Sequence, residues 1–281
     1  MKPEVIDIET YSKHSISVTK YNPETSNQKS LVISSATGVL QKYYSKFAKH
    51  FSTLGYTVYT FDYYGIGESC SVKIKENNVS LNDWANDQAS ILNLAKQSNP
   101  NHKITLITHS IGGQLIGLNS KIHLADSIIT IASQTGYWKY FKGINRLRML
   151  SFWYVLIPIA TPLFGYFPAK KMGLFENIPK NVVYQWRQWG IHPKYIFREF
   201  KTLQFELIKN NVLVLSFPRD SYAPKQAVDW LSDQFKNAQV DRKHIIPEDL
   251  NIEDIKHFGF FRSKFKDSLW KSTDEWILKN T

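Results

Sequence analysis

A serine at the end of an apolar run is the first candidate for chemistry in this sequence. Ser110 lies in LITHSIGGQ (106–114), where apolar and β-branched residues precede it and two glycines follow. The pattern approximates G-x-S-x-G, a sharp turn from a strand into a helix that holds a nucleophilic serine oxygen above a sheet. Thr108 stands where the first glycine of that motif is usual. The motif alone also fits an ordinary turn, so its catalytic interpretation depends on partners elsewhere in the chain.

The partners that a serine nucleophile needs are a histidine to accept its proton and a carboxylate to orient the histidine. Enzymes with this serine turn supply them in the order Ser, Asp or Glu, His. Of the eight histidines, His244 and His257 come late enough, and His244 falls inside a predicted strand. We therefore predict His257, which lies in a loop, as the base. We predict Asp220 as the acid, because it directly follows a buried-type strand, whereas Asp229 and Asp233 fall within the next predicted helix.

An oxyanion hole requires two backbone N–H donors where negative charge develops on the attacked carbonyl. The amide of Ile111 is the first candidate, because it follows the nucleophile at the start of a helix. The second donor should come from SATGVLQ, the loop after the predicted strand 30–35. We assign it to Val39, with Thr37 as the alternative, since Gly38 lets the backbone approach closely.

The elements that must position these residues alternate between strands and helices along the chain. Strands are predicted at 30–35, 56–61, 103–108, 127–133, 211–217 and 239–246, and those at 103–108 and 211–217 are of the buried type. Amphipathic helices are predicted between them, including one near 113–122, and VIDIET and SISVTKY are predicted as antiparallel edge strands. This succession predicts an α/β fold with a mostly parallel central sheet, helices on both faces and a ligand site at the carboxyl ends of the strands.

The alternation breaks between 134 and about 207, where aromatic residues and prolines cluster. We predict one domain over 1–281, with a core of 1–135 and 208–281 and a lid inserted at 136–207. Within it, residues 149–168 run without a charge for nearly the length of a membrane span. A single span there would separate Ser110 from Asp220 and His257, so we favour a lid whose aromatic side chains roof an apolar pocket.

The bulk composition restricts the partners and the compartment. The formal charge is +11, yet the lysines are scattered and no zinc-finger or RNA-binding pattern is present, so nucleic-acid binding is not expected. Basic residues flank the apolar part of the lid, which makes peripheral contact with an anionic membrane a further hypothesis. The single cysteine, Cys70, and the polar start of the chain predict a cytoplasmic protein. No metal or cofactor is expected.

Several segments, together spanning nearly the whole chain, resemble bacterial α/β-hydrolases related to monoacylglycerol-lipase-like and serine-aminopeptidase-like enzymes. The matching segments include GYTVYTFDYYGIGES, THSIGGQ, SQTGYW, GYFPAKKMG, QWRQW and HFGFFR. The resemblance implies the α/β-hydrolase fold with a lid and serine hydrolysis, with Ser110 as nucleophile, His257 as base and Asp220 as acid. Two positions depart from the family pattern, because Thr108 replaces a glycine and Tyr64 replaces the arginine of D-x-R-G-x-G-x-S.

These observations predict a serine hydrolase that forms an acyl-enzyme on Ser110. The aromatic lid favours a small-molecule ester with an apolar acyl or alcohol part, while amide and thioester substrates stay open. The alternative is a non-catalytic protein of the same fold that uses its pocket for binding, or a membrane-associated interaction module. The sequence does not specify the oligomeric state.

Overall fold

The computed structural model describes residues 2–281, which form one eight-stranded sheet flanked by helices, and a separate two-stranded hairpin. The strands are β1 Glu4–Glu9, β2 Ser15–Tyr21, β3 Lys29–Ser34, β4 Thr57–Phe61, β5 Lys103–His109, β6 Ser127–Ile131, β7 Tyr166–Phe167, β8 Ile178–Pro179, β9 Asn211–Ser216 and β10 Gln239–His244. The helices are α1 Ser45–Thr53, α2 Leu81–Ser98, α3 Ile111–Leu115, α4 Gly143–Ser151, α5 Ile157–Phe164, α6 Lys180–Gly190, α7 Lys225–Ser232 and α8 Lys271–Asn280.

The large sheet has the order β1-β2-β4-β3-β5-β6-β9-β10. All pairs from β4 to β10 are parallel, whereas β1 pairs with β2, and β2 with β4, in antiparallel register. The central strands β4 and β6 are buried along their whole length, as expected for parallel strands covered on both faces. The predicted mostly parallel α/β sheet with two antiparallel strands at one edge is therefore confirmed.

The helix α2 shows how a local pattern determines an element. Ser80 and Asp83 form a capping box at its start, which supplies partners for backbone groups that the first turn leaves free. Trp84, Leu92 and Ala95 share the buried face, as the helical spacing predicts.

The predicted helix at 113–122 is the main local error. The helix after Ser110 is α3, which ends at Leu115 and is followed by short single turns at Ile116–Leu118 and Ile122–Leu124. Glycines weaken this stretch as a helix. A side chain at Gly117 would also meet the ring of Phe205 at 2.4 Å, so close packing there overrides the apolar periodicity.

Residues 136–207 connect β6 to β9, two neighbouring parallel strands, and contain α4, α5, α6 and the β7–β8 hairpin. A π-helical turn, Phe152–Leu156, joins α4 to α5 into one helix of 22 residues, Gly143–Phe164. We call this the long helix. Pro158 lies two residues after the end of the π turn, and because proline lacks an N–H it cannot donate to the regular hydrogen-bond ladder.

The parallel strands bring distant loops to one edge of the sheet. Ser110 follows β5, Asp220 lies four residues after β9, and His257 lies in the loop after β10. The loop after β3, which contains Thr37 and Val39, reaches the same edge. The carboxyl ends of parallel strands are where such folds bind ligands.

Candidate active site

Ser110 lies in a strained turn between β5 and α3. Its backbone has φ 52° and ψ −113°, a combination that side-chain-bearing residues rarely adopt. The turn is buried, and its amide donates to the carbonyl of Ile131 at 3.1 Å. Strain of this kind costs about 1–3 kcal/mol and persists only where surrounding structure enforces it, which is characteristic of functional sites.

Two glycines allow α3 to lie close to the sheet. A side chain at Gly112 would meet Ser34 Oγ at 2.7 Å, and one at Gly113 would meet Ser133 Oγ at 2.3 Å and Thr108 Oγ1 at 3.1 Å. Thr108, which departs from the motif, is fully buried and is accommodated because Gly113 faces it. The geometry therefore gives no sign that Thr108 opens the turn.

His257 and Asp220 are joined by a hydrogen bond. His257 Nδ1 lies 2.9 Å from Asp220 Oδ2, and both residues are 5 % exposed. The other carboxylate oxygen, Oδ1, accepts the backbone N–H groups of Tyr222 and Ala223 at 2.8 Å each. Asp220 is thereby fixed in a position from which it orients the imidazole and would stabilise a positive charge on it.

The hydroxyl of Ser110 makes no hydrogen bond to His257 within the described residues, although both side chains line the same cavity. In ligand-free enzymes, contacts between nucleophile and base are often long and tighten only when substrate binds. The structure thus joins the predicted acid and base directly and brings the predicted nucleophile to the same cavity without a bond.

Backbone strain marks all three of these segments. Eight non-glycine residues among 2–281 have positive φ. One is Ser110, at 52°; Arg219, at 56°, precedes Asp220; and Lys256, at 51°, precedes His257. This coincidence is a structural signal of function that no sequence pattern reveals.

A buried pair, Tyr44 and His109, ties the loops of the site together. His109 Nε2 lies 3.0 Å from the carbonyl of His257, and since that oxygen only accepts, Nε2 carries the proton. His109 Nδ1 then accepts from the hydroxyl of Tyr44 at 2.9 Å, and that hydroxyl accepts the amide of Ala36 at the same distance. Burial lowers the pKa of His109 well below its ordinary value, and the nearby His257 adds to the decrease. Sequence analysis missed this role.

The two backbone amides predicted as oxyanion donors, those of Ile111 and Val39, differ in their hydrogen bonding. Ile111 is the first residue of α3, so its N–H has no acceptor within the helix, and it directly follows Ser110, which lines the cavity. The amide of Val39, however, donates to the carbonyl of Ala36 at 3.1 Å, whereas no backbone acceptor is recorded within the described residues for the amide of Thr37, which lines the cavity. The occupied amide of Val39 favours the alternative, Thr37, as the second donor.

The cavity beside Ser110 and His257 has a volume of about 450 Å³. Its walls come mostly from residues 136–207, including Phe152, Leu156, Phe167, Leu174, Phe175, Ile178 and Trp186. The remainder comes from the core loops, with Ala36, Thr37, Tyr222 and Phe258 among them. A largely apolar cavity of this size suits a small molecule with a hydrocarbon part. No group of three or more possible metal-ligating side chains occurs within residues 2–281.

Tyr64, the second departure from the family pattern, belongs to a different, partly buried cluster. Its ring stacks on His14 with 3.9 Å between ring centroids, and its amide donates to Asp87 Oδ2 at 2.9 Å. His14 Nε2 lies 3.0 Å from the other oxygen of Asp87, which is fully buried. Burial raises the pKa of Asp87, and the hydrogen bonds from His14 and Tyr64 oppose that rise. Tyr64 has no positive charge, unlike the arginine of the family pattern, and the buried carboxylate of Asp87 pairs with His14.

Comparisons with known proteins agree with this architecture. Solved structures with the same fold include a soluble variant of monoglyceride lipase from Saccharomyces cerevisiae, with a TM-score of 0.72, 13% identity and coverage of 100% of this chain and 97% of the other. The esterase Pf2001 from Pyrococcus furiosus gives a TM-score of 0.64 at 13% identity, covering 99% and 91%. A serine hydrolase from Xanthomonas campestris described as lacking a lid gives 0.55 at 13% identity, covering 98% and 95%.

At these identities the structural likeness shows the fold and nothing finer. A sequence search of curated proteins gives no match. The family of serine aminopeptidases designated S33 matches residues 25–199, which is more than half of the chain. Together with the sheet order and the serine turn, this match shows that the chain belongs to the serine aminopeptidase S33 family of α/β-hydrolases.

Proposed function

We propose that the protein is a serine hydrolase that cleaves a carboxylic ester with an apolar acyl or alcohol part through Ser110, His257 and Asp220. The observation that carries this proposal is the 2.9 Å hydrogen bond between His257 Nδ1 and Asp220 Oδ2 beside an apolar cavity that also contains Ser110. A hydrogen-bonded acid and base beside a serine in a strained turn is the arrangement that activates a hydroxyl nucleophile.

In the proposed reaction, His257 Nε2 accepts the proton of Ser110 as Oγ attacks the ester carbonyl carbon. The amides of Ile111 and Thr37 stabilise the oxyanion of the tetrahedral intermediate. His257 then gives the proton to the departing alcohol, leaving an ester between the acyl group and Ser110. A water molecule, deprotonated by His257, attacks this acyl-enzyme and releases the acid, and the proton returns to Ser110.

The cavity lining favours an ester over the substrate of an aminopeptidase. An aminopeptidase must bind the free α-ammonium group of its substrate, and a buried cation requires an anionic partner. No aspartate or glutamate lines this cavity within the described chain, while Arg148 does. An uncharged substrate with hydrocarbon parts meets no such electrostatic cost.

The test begins with a fluorophosphonate probe, which reacts covalently with activated serines. We expect wild-type protein to be labelled and Ser110→Ala protein to remain unlabelled. Ser151→Ala is the matched control, because Ser151 lines the same cavity from the end of α4 rather than from the turn after β5, so that variant should label normally. A folded wild type that stays unlabelled would favour a non-catalytic binding protein of the same fold.

Substrate class is tested by comparing p-nitrophenyl esters of graded acyl length with aminoacyl p-nitroanilides. We expect kcat/KM to rise with acyl length until the cavity is filled, and we expect negligible hydrolysis of the nitroanilides. Faster cleavage of nitroanilides than of esters would contradict the ester assignment while leaving the serine mechanism intact.

A further inference from the structure

The long helix, Gly143–Phe164, presents an unusual outer face. Its exposed apolar residues are separated by three, four or eight positions, a spacing that places them along one side of a helix. These residues are Ile144, Leu147, Val155, Ile159 and Leu163. Leu163 is 76% exposed, and Ile144 and Leu147 are each 62% exposed. Of the eighteen large exposed hydrophobic side chains found among residues 2–281, nine fall between 144 and 174. A concentration of this kind marks an interaction surface.

The opposite side of the same helix is attached to the protein. Trp153 and Ile157 are fully buried. The indole N–H of Trp153 donates to the carbonyl of Gly136 at 3.0 Å, and its own carbonyl accepts from Arg187 Nε at 2.6 Å. The helix is long and apolar enough to cross a membrane, but these contacts fix it against the fold, so it presents one face outward.

The charge around this face is strongly positive. Between 127 and 175 there are six basic residues, all exposed, and no acidic residue, so this segment carries more than half of the chain's formal charge of +11. They are Lys139, Lys142, Arg146, Arg148, Lys170 and Lys171. Lys170 pairs with Glu176 at 2.9 Å, whereas the other five make no ion pair within the described residues. Lys139 lies over the ring of Trp138, a residue type common at membrane interfaces.

We propose that the outer face of the long helix and these basic residues form a docking face for a bilayer that contains anionic phospholipid. Apolar side chains of an interfacial helix insert among the lipid tails while flanking cations contact the negative headgroups. Both components are present here, on the long helix and on the segments that directly flank it.

The charges favour a bilayer over a second copy of the chain. A symmetric dimer pairs a surface patch with itself, so this face would bring two sets of unpaired lysines and arginines together. An anionic membrane supplies the opposite charge. A single transmembrane span is also disfavoured, because β6 and β9, which pair in one sheet, lie before and after the helix.

Docking would place the cavity mouth against the lipid. Arg148, Leu156 and Leu174 line the cavity and are also exposed, so they border its opening. An apolar ester could then pass from the bilayer into the cavity without crossing water. This delivery step rests on the proposed function, whereas the docking itself does not.

The experiment measures cosedimentation of full-length Ser110→Ala protein with vesicles, so that no lipid is consumed and failure of the hydrolase proposal does not affect the result. Vesicles of phosphatidylcholine alone are compared with vesicles containing about 30% phosphatidylglycerol, at low salt and at about 0.5 M salt. We expect binding to the anionic vesicles at low salt, and substantial loss of that binding at high salt.

Two triple variants, made in the same background, test the two components. Lys139→Gln with Lys142→Gln and Lys171→Gln should weaken binding roughly fivefold per lysine. Ile144→Gln with Leu147→Gln and Leu163→Gln should weaken it by more than about tenfold. The controls are Lys46→Gln with Lys49→Gln and Lys209→Gln, and Val5→Gln with Leu207→Gln and Leu278→Gln, which remove equally exposed side chains elsewhere.

The proposal is supported if only the variants of the docking face lose binding and all variants unfold cooperatively. It is overturned if no binding occurs at low salt, or if the control variants lose as much as the others. Retention on vesicles after alkaline carbonate extraction would overturn it in favour of a membrane span. A concentration-dependent dimer that the apolar triple abolishes, without vesicle binding, would overturn it in favour of self-association.

Discussion

Replacing Asp220 by asparagine tests the proposed triad most directly, because the structure dictates how the new amide must lie. Oδ1 accepts two backbone N–H groups, from Tyr222 and Ala223, at 2.8 Å each. The amide oxygen of asparagine must keep that position, since an NH2 group there would face two donors. The NH2 group therefore takes the place of Oδ2 and faces His257 Nδ1, which lies 2.9 Å away.

The consequence is a change of tautomer in His257. With an N–H donor opposite, Nδ1 must become the acceptor, and the ring proton moves to Nε2. Nε2 is then unable to take the proton of Ser110, although every heavy atom of the site is in place. An equivalent change in a serine-histidine-aspartate triad lowers kcat by roughly 10⁴-fold, which corresponds to about 5 kcal/mol of transition-state stabilisation.

The assay compares kcat/KM of the wild type and Asp220→Asn protein on the best p-nitrophenyl ester, with ¹⁵N NMR of His257 to identify the protonated ring nitrogen. Asp229→Asn is the control. Asp229 is the competing late acid, and it pairs with Lys225 and Arg242 at 2.8 Å each at the surface, so its loss should leave kcat/KM within about twofold.

A loss of less than about tenfold in Asp220→Asn would refute the reasoning, because the wrong tautomer cannot act as a base. An equally large loss in Asp229→Asn would show that Asp220 is not the specific acid of the site. A large loss in Asp220→Asn with Nδ1 still protonated would show that the carboxylate acts through charge alone and not through the tautomer.

Three further predictions concern the scaffold of the site. Because burial lowers the pKa of His109, the unfolded chain binds a proton below its ordinary pKa that the folded chain does not. The contribution of neutral His109 to the free energy of unfolding is therefore fully present above about pH 6.5 and declines by up to about 1.4 kcal/mol per pH unit below it. In urea unfolding, the difference in free energy of unfolding between wild type and His109→Gln should become smaller from pH 7 to pH 5. A difference that does not change with pH contradicts this prediction. His14→Ala should lower the free energy of unfolding at pH 7 by about 3 kcal/mol, since it leaves the buried carboxylate of Asp87 with the amide of Tyr64 but without its side-chain partner. Asp87→Asn in that background should recover most of the loss, and simple additivity of the two changes would argue against a coupled pair. Gly113→Ala places a side chain 2.3 Å from Ser133 Oγ, so it should destabilise the protein by about 1–3 kcal/mol and reduce labelling of Ser110. Adding Ser133→Gly should restore the labelling, and thermal unfolding with the probe assay measures both effects.

The succession of elements was predictable because each buried strand is marked by local sequence. Continuous apolar runs such as ITLIT and SIITI cannot lie on a half-exposed strand, so they indicate a parallel sheet covered on both faces. The order of serine, acid and base then restricts the candidates to loops after those strands. Asp220 and His257, chosen on this basis, do form a hydrogen bond in the folded chain.

What sequence could not provide depends on contacts between distant segments or on exact loop geometry. The amide of Val39 is unsuitable because it bonds Ala36 three residues earlier, a detail of one turn. The pairing of His14 with Asp87 joins residues 73 positions apart. Neither follows from residue type or spacing, since the first depends on the exact conformation of one loop and the second on how the fold brings a turn near β2 against α2.

The strained residues connect these contacts to the chemistry. Ser110, Arg219 and Lys256 each hold a backbone conformation that costs about 1 kcal/mol or more. Ser110 is itself a member of the proposed triad, and the other two directly precede Asp220 and His257. Such strain persists only if neighbouring bonds oppose its release. Such hydrogen bonds are present. Next to Arg219, the carboxylate of Asp220 accepts two backbone N–H groups, and next to Lys256, the carbonyl of His257 accepts from the ring of His109. The hydrogen bonds of this buried network thus offset the backbone strain and hold the three loops in fixed positions. Flexible loops would carry the same three side chains without keeping them in a fixed arrangement.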